Sequence, residues 1–334
     1  MNYINYVKEY PIQGTIGLGG GATGLIFGTG GALAAGPYNG DRGMIAAGYG
    51  PPLYNTISYT TISTSSSWSD FGDIDAGYYG PDGVSGGDGV LGEVQASRGI
   101  VWGGDSTGGH SNVTTIQYRA TASLGNMTDF GDLTEGVKIS AGNFSNGWRC
   151  CYAGGANPNY RTEIDYIATM TTGNAQDFGD LPAQASAGGS GQMQNGTTGF
   201  SCKSSNTSIW ASTIATTGNA SSFGNLSSTI GNNQACGSNT TYALHSGTNG
   251  EAGIDRFTMA TAGNGTDVGN LSATRWGSGG CSNMSYLLIV AGYHSGNNIS
   301  ASEYRDFASS GNASSFSGLG YSARGLAGLS GSAS

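Results

Sequence analysis

The sequence predicts an all-β fold, a closed ring of small four-stranded antiparallel sheets of the β-propeller type. The first observation is a four-residue motif, apolar-Gly-Asp/Asn-Leu/Ile, that occurs six times. We call it the tetrad, and its last copy is altered to Phe-Ser-Gly-Leu. The copies are spaced by 59, 48, 45, 45 and 48 residues and begin at Phe71, Phe130, Phe178, Phe223, Val268 and Phe316. The second is composition: 62 Gly in 334 residues, 10% charged residues and few helix formers. A period near 45 residues is typical of propeller blades.

The first two strands of each blade are predicted from small residues. Runs that lead into Ser-Asn turns, such as residues 235–239 and 279–283, fit the first strand. The second strand follows and closes on glycine or alanine, as in residues 42–48, 98–104 and 148–155. Glycine at these places allows neighbouring backbones to approach closely.

The third strand is predicted from an Ile-x-Tyr step. Fourteen residues before the tetrads stand Ile57, Ile116, Ile164, Ile209 and Ile254, with Ser302 as the exception. Twelve residues before stand Tyr59, Tyr118, Tyr166 and Tyr304, replaced in two repeats by Ala211 and Arg256. Residues two apart share one face of a strand, so this face is expected to pack on a neighbouring sheet.

The fourth strand is predicted to be the tetrad itself, whose first residues are the structural anchors of the repeat. A Gly-Asn pair precedes five of the tetrads, with Asn126, Asn174, Asn219, Asn264 or Asn312 four residues before the anchor. We interpret its glycine as the positive-φ residue of the reversal between the third and fourth strands.

Six tetrads predict six blades, with seven as the alternative. Residues 323–329 have the offset of another first strand and no complete blade after them, so we expect them to close the ring against the N-terminal blade. The alternative uses residues 32–35 as the first strand of blade one, and the C-terminal copy then begins a seventh, partial blade. We assign residues 1–40 to an N-terminal arm and residues 41–334 to the propeller. The strand-like run at residues 2–7 could dock the arm onto a partner by strand addition.

Charge and hydropathy exclude some partners. The net charge is −9 and the 12 Lys and Arg residues are scattered singly, so no basic stripe is present for a nucleic acid. Residues 16–36 are interrupted by glycine and follow no basic run. We therefore expect neither a signal peptide nor membrane insertion.

The cysteines and histidines predict no metal site and no cofactor. Five Cys without a Cys-x-x-Cys and three dispersed His show no ligand spacing. Cys236 and Cys281 are 45 residues apart, at equivalent repeat positions, where they are expected to fill the core. Cys150 and Cys151 point to opposite faces of a strand and are not expected to pair with each other. A cytosolic origin fits this set.

No constellation of residues predicts catalysis, so we expect the protein not to be an enzyme. Three pairs of carboxylates have a spacing that could suit a metal ion or acid-base catalysis. In the other repeats the same positions carry different small polar residues or glycine, which favours a role in hydrogen bonds that hold a turn. These pairs are Asp70/Asp73, Asp129/Asp132 and Asp177/Asp180. The Gly-rich runs lack the Lys and Ser/Thr of a phosphate loop, and no triad can be argued from spacing.

The longest interval between tetrads predicts a candidate binding loop. It inserts residues 76–83 between blades one and two, and irregular loops on a regular scaffold often bind ligands. Tyr78, Tyr79 and Asp82 are the candidate binding residues; the alternative is a loop that covers an edge or contacts another subunit. We find no loop position at which aromatic residues recur.

The tryptophans occupy different repeat positions. Trp102, Trp148 and Trp210 are expected to pack inside the blades, while Trp68 and Trp276 are left open between packing and recognition.

Two resemblances extend this interpretation. Paired glycines that end the second strand, Gly103-Gly104 and Gly154-Gly155, followed by Ile-x-Tyr, resemble the kelch propeller over about 290 residues. The Trp that kelch repeats carry after the third strand is replaced by the Phe or Val of the tetrad. The phrase Thr-Thr-Gly-Asn-Ala-x-x-Phe-Gly-Asp/Asn-Leu, at residues 171–181 and 216–226, is similar to repeat arrays in structural and tail-fibre proteins of marine bacteriophages.

The second resemblance implies a non-enzymatic virion protein, made in the host cytoplasm and placed in a tail fibre or host-attachment structure. A particle decoration protein and a free, lectin-like carbohydrate-binding propeller are the alternatives. The partners it implies are other virion proteins, reached through the N-terminal arm, and host surface polysaccharide. An oligomeric state in the assembly is expected.

Overall fold

The computed structural model describes residues 39–87, 96–107, 111–157, 159–186, 188–248 and 250–333. These residues form 24 β-strands and one turn of 3₁₀-helix, Ile62–Thr64. The strands make six antiparallel sheets arranged as a ring, which is a six-bladed β-propeller and confirms the predicted fold class. Within these ranges no helix is long and apolar enough to cross a membrane.

Each blade is a short meander of strands. Blade one contains β1 (Arg42–Ala46), β2 (Thr56–Thr61) and β3 (Ser69–Asp73). Blade two contains β4 (Asp82–Gly86), β5 (Arg98–Trp102), β6 (Thr115–Ala120) and β7 (Thr128–Asp132). Blade three contains β8 (Gly142–Ser145), β9 (Arg149–Ala153), β10 (Ala156–Asn157), β11 (Asn159–Ala168) and β12 (Gln176–Ala185).

The second half of the chain repeats the pattern. Blade four contains β13 (Thr198–Cys202), β14 (Ser208–Thr213) and β15 (Ser221–Asn225). Blade five contains β16 (Cys236–Ser238), β17 (Tyr242–Thr248), β18 (Gly253–Thr258) and β19 (Thr266–Asn270). Blade six contains β20 (Gly279–Ser282), β21 (Tyr286–His294), β22 (Asn297–Asp306) and β23 (Ser314–Phe316). In blade four the inner position is taken by residues 190–194, where Gln194 bridges to Gly199 of β13.

The last strand of the chain closes the ring. The C-terminal strand β24 (Ala327–Gly331) pairs antiparallel with β1, in a register that runs from Arg42 opposite Gly331 to Ala46 opposite Ala327. The predicted closure is confirmed, and the alternative with a seventh, partial blade is wrong because β24 fills the first-strand position of blade one. Residues 1–38, including residues 32–35 and nearly all of the predicted arm, lie outside the described residues.

The core lies between neighbouring blades. The repeated isoleucines of the third strands are all fully buried, and five of the six tetrad anchors are at most 7% exposed, while Phe223 is partly buried. On the outer part of three blades an arginine that begins the second strand stacks on the tyrosine of the third strand. The pairs are Arg42 on Tyr59, Arg98 on Tyr118 and Arg149 on Tyr166. In blade five the two residue types exchange places: Tyr242 begins the second strand, and Arg256 of the third strand stacks on it. This exchange explains why Arg256 replaces the repeat tyrosine.

The Gly-Asn pairs join neighbouring blades. Asn126 Oδ1 accepts a hydrogen bond from the Asp73 N–H at 3.1 Å, and the Gly125 N–H donates to the Phe71 carbonyl at 2.7 Å. The same two bonds recur at the next four blade interfaces. The tetrad glycine is required because a Cβ on Gly72 would lie 2.4 Å from the Gly125 carbonyl oxygen. The predicted positive φ is confirmed in four of the Gly-Asn pairs, and Gly263 is the exception.

The interface between blades six and one is built differently. The last tetrad has Ser317 in place of glycine, and blade one has no Gly-Asn pair. Here the Trp68 indole N–H donates to the Ser317 carbonyl at 2.8 Å, and its ring packs edge-on against Phe316. Trp68, which the sequence left open, therefore lies at the closing seam.

Buried amide side chains link the inner parts of several blades. Gln192 Nε2 donates to Asn39 Oδ1 at 2.9 Å, and Gln192 Oε1 accepts the N–H of Ser85 at 2.8 Å. Asn39 in turn donates to the Ser238 carbonyl of blade five. Buried amide side chains thus connect blades that are not neighbours.

The cysteines and the tryptophans named for the blade interior can now be placed. All five cysteines are unpaired and buried, which confirms core filling, and burial raises the pKa of the Cys150 and Cys281 thiols to about 12. Trp102 and Trp210 are buried as predicted, at 0% and 6% exposure. The prediction for Trp148 is wrong: its side chain is 52% exposed because it stands on the turn before β9 and not within the strand.

Candidate functional site

One face of the propeller has a depression at the ring axis, here called the axial depression, with a volume of about 440 Å³. Its walls come from the loops that connect the last strand of one blade with the first strand of the next, and from the turns between second and third strands. The lining residues are Tyr79, Asn112, Lys138, Ile139, Ala156, Tyr160, Ser186, Asn232, Asn233 and Trp276.

A single repeat position supplies much of this face. It lies eight residues after the tetrad anchor and is occupied, in chain order, by Tyr79, Lys138, Ser186, Gly231, Trp276 and Arg324. We call it the loop column. Four of its residues line the depression directly, and Arg324 stacks on the lining residue Trp276.

The residues that come directly after loop-column residues join neighbouring loops through backbone hydrogen bonds. The Gly80 N–H donates to the Gly325 carbonyl at 3.0 Å, and the Gly325 N–H donates to Gly277 at 2.7 Å. The Gly277 N–H donates to the Asn232 carbonyl at 3.1 Å, and the Ile139 N–H donates to the Gly80 carbonyl at 2.8 Å. Gly80, Ile139, Gly277 and Gly325 all have positive φ, between 55° and 72°. This belt of backbone bonds holds the loops around the axis, and it places the β-branched Ile139 in a conformation that is costly for its side chain.

Near blades one and six the wall is formed by Trp276, which belongs to a cluster of aromatic rings and one guanidinium. The Arg324 guanidinium lies 4.9 Å from the centre of the Tyr49 ring, 4.9 Å from Trp276 and 4.5 Å from Tyr293. Trp276 and Tyr293 are themselves in contact, with ring centres 4.8 Å apart. Stacked guanidinium and aromatic groups are rigid, so this wall is preorganised.

A buried ion pair forms the wall near blade two. Lys138 Nζ lies 2.7 Å from Asp105 Oδ2 and 5.6 Å from the centre of the Tyr79 ring. Burial is the largest influence on the Tyr79 hydroxyl and raises its pKa, while Arg324 acts in the opposite direction. The Lys138 charge is therefore largely compensated by Asp105, and Tyr79 enters the site as a neutral hydrogen-bonding ring.

Several buried polar atoms near this face have no hydrogen-bond partner in the described chain. Asn233 is 3% exposed, and neither its amide nitrogen nor its amide oxygen has a partner. The Oδ1 of Asn112, also a lining residue, lacks one as well. Unpaired buried polar atoms cost free energy unless a solvent molecule or ligand meets them. Their position at the depression is the feature expected of a binding site.

The three candidate binding residues from the sequence have different surroundings. Tyr78 is 4% exposed, belongs to the hydrophobic core of blade one, and donates its hydroxyl to Asp75. Asp82 is the first residue of β4 and is fully buried. Tyr79 alone lines the axial depression. The inserted loop therefore turns one of its three named side chains toward this site.

Trp276, which the sequence leaves open between packing and recognition, also lines the depression, and the other lining residues are not predicted from the sequence. Our statement that aromatic residues recur at no loop position is wrong, because Tyr79 and Trp276 both occupy the loop column. The signal that finds them is the constant distance of eight residues from the anchor. Residue type cannot reveal it, since the column holds tyrosine, lysine, serine, glycine, tryptophan and arginine.

The side chains that line this site can stack on a ligand and exchange hydrogen bonds with it. Among the described residues no group of three or more His, Cys, Asp and Glu could hold a metal ion. The carboxylate pairs of the tetrads make local bonds instead, as where Thr114 donates to Asp132 at 2.6 Å. A Ser-His side-chain contact places Ser295 Oγ 2.9 Å from His294 Nε2. It lies on an exposed hairpin turn, and His294 Nδ1 faces the Thr274 carbonyl and not a carboxylate.

Comparison of the chain with protein-family models and with curated proteins finds no match.

Proposed function

We propose that the protein is a non-enzymatic host-attachment propeller of a virion, and that its axial depression binds host surface polysaccharide. The observation that carries the binding role is the combination, in one depression, of the Tyr79 and Trp276 rings with the unpartnered amide of Asn233. A sugar ring has an apolar face that stacks on aromatic side chains and hydroxyls that pair with amides.

The setting of the site supports polysaccharide over a protein partner. The depression is concave and its walls are fixed by backbone bonds and by the stacked Arg324, so little ordering is needed on binding. Its volume of about 440 Å³ is in the range of small-molecule sites and suits one or two sugar units.

The virion role is supported by the likeness of the Gly-Asn and tetrad phrases to repeats of bacteriophage tail-fibre proteins. The contacts give that phrase a structural use, since its Asn and Gly bond one blade to the next. A sparsely charged surface rich in Ser, Thr, Asn and Gly suits an exposed particle component that must not bind nonspecifically.

The test measures saturable binding of the labelled chain to candidate host cells, with and without enzymatic removal of surface polysaccharide. We expect binding that depends on the polysaccharide and falls about tenfold in Trp276→Ala and in Asn233→Ala, because stacking or amide pairing is lost. Leu124→Ala is the matched control, since Leu124 is 50% exposed and outside the depression. Wild-type protein that binds no host cell would contradict the proposal and favour particle decoration.

A further inference from the structure

A second and larger groove lies on the opposite face of the propeller, with a volume of about 610 Å³. It is bounded by the turn before β9, by the turn between β11 and β12, and by Ala215 of blade four. Its wall is formed by the exposed Trp148 ring, the Arg149 guanidinium and the polar side chains of Thr171, Thr172 and Asn174. We call it the Trp148 groove.

The fold does not require a tryptophan at position 148. The turn that carries it is closed by Asn146 Oδ1, which accepts the N–H groups of Trp148 at 3.2 Å and Arg149 at 2.9 Å. The same Asn-centred turn occurs in blades four, five and six at Asn195, Asn239 and Asn283. In those blades the place of Trp148 is taken by Thr197, Thr241 and Ser285. The repeats thus show that a small residue makes the turn equally well.

The exposed ring is therefore without a structural explanation. Trp148 is 52% exposed, and leaving so large an apolar ring in water is unfavourable. Aromatic residues exposed beside a concave surface are typical of recognition sites.

The groove is positively charged within an acidic protein. Arg149 is held by stacking 4.4 Å over the Tyr166 ring and by donating to the Ile214 carbonyl at 2.8 Å. None of the residues that line the groove is acidic, whereas the net charge of the chain is −9. A guanidinium that is fixed in place, with no acid in its groove, favours a carboxylate ligand.

We propose that the Trp148 groove binds a carboxylated sugar unit of an acidic polysaccharide. The apolar face of the sugar ring stacks on Trp148, the carboxylate pairs with Arg149, and the sugar hydroxyls meet Thr171 and Asn174. This site faces away from the axial depression, and its argument does not use the residues of that depression.

The test titrates the full chain with a short oligoglucuronate and, separately, with the neutral glucose oligomer of the same length, following heat release and tryptophan fluorescence. Trp148→Thr installs the residue that blades four and five carry in this turn, so the variant is expected to fold, and its thermal unfolding is measured alongside. We expect its Kd for oligoglucuronate to rise about tenfold or more, and wild-type binding to weaken as salt is added.

Met284→Thr is the matched control, because Met284 is 48% exposed on the equivalent turn of blade six. Its Kd should equal that of the wild type. Asn233→Ala should also keep oligoglucuronate binding, so failure of the axial site and failure of this groove give different results. Equal binding by Trp148→Thr and wild type, equal loss in Met284→Thr, or equal affinity for the neutral oligomer would each overturn the proposal.

Discussion

At the scale of single residues, Asp82 is the most unusual group in the described chain. It is fully buried at the start of β4, where Oδ2 accepts the Ser140 N–H at 2.6 Å and Oδ1 has no partner. Burial raises its pKa from 3.8 to about 7, and the bonds from Ser140 and Asn143 only partly oppose this. The folded protein therefore holds the Asp82 proton more tightly than the unfolded chain does.

Asp82 should make stability depend on pH. Its contribution is complete below the unfolded pKa of 3.8 and is lost as the pH rises through about 7. The wild-type free energy of unfolding should fall with rising pH by up to about 4 kcal/mol more than that of Asp82→Asn. Urea unfolding at a series of pH values measures this difference. Identical curves for wild type and Asp82→Asn would refute the role of Asp82.

At the scale of elements, the six blade interfaces are of two kinds. Five share the Asn-to-backbone bond and the Gly-to-carbonyl bond, which attach the fourth strands of neighbouring blades. The sixth, between β23 and blade one, depends on the Trp68 indole and its packing against Phe316. At this interface the Trp68 side chain replaces the two hydrogen bonds that a Gly-Asn pair makes at the other five.

The seam at Trp68 should therefore be more sensitive to substitution than the regular interfaces. We expect Trp68→Ala to lower the free energy of unfolding by about 2–4 kcal/mol, because packing and a hydrogen bond are both lost. Asn219→Ala should cost about 1 kcal/mol, since the Gly218 bond at the same interface remains. Chemical denaturation measures both. If Asn219→Ala lowered the free energy of unfolding as much as Trp68→Ala does, the seam would be no more sensitive than the regular interfaces.

At the scale of the whole molecule, the ring is completed by strands from the two ends of the propeller. β24 supplies the inner strand of blade one, and Ser330 also bonds to Ser282 of blade six and Ser85 of blade two. Removing β24 would leave the backbone of β1 unpaired on its inner edge and would break contacts with three blades at once.

A chain that ends at residue 326 should not form a stable monomeric ring. We expect it to elute as aggregates in size-exclusion chromatography and to lose amide protection in blade one, because an open sheet edge pairs with other chains. A chain that ends at residue 332 keeps all of β24 and serves as the control. A truncated chain that remained monomeric with a wild-type unfolding transition would contradict this role of β24.

The sequence predicts the strands of the blades well because equivalent residues pack in the same way in each blade. Ile57 and its four equivalents are buried in equivalent places, so their spacing shows through a diverged sequence. Closure by the C-terminal strand is predicted for the same reason, since residues 323–329 have the offset of another first strand; the strand itself is residues 327–331.

The face that carries the axial depression is harder to predict because its residues share a position and not a chemical type. The loop column has six different residues, and a search for similar residues passes over it. Exposure was also misjudged where a turn decides it: Trp148 stands next to a strand in sequence, but the Asn146 turn leaves it outside the sheet. Conversely, Tyr78 lies in the irregular loop and Asp82 begins β4, and both are buried.

The belt of backbone bonds beside the loop column has an evolutionary consequence. Because main-chain groups hold these loops in place, the neighbouring side chain can be exchanged without loss of the contacts that position it. At the five loops whose belt residues the structure describes, single substitutions can therefore change the surface around the axis while the scaffold is inherited intact.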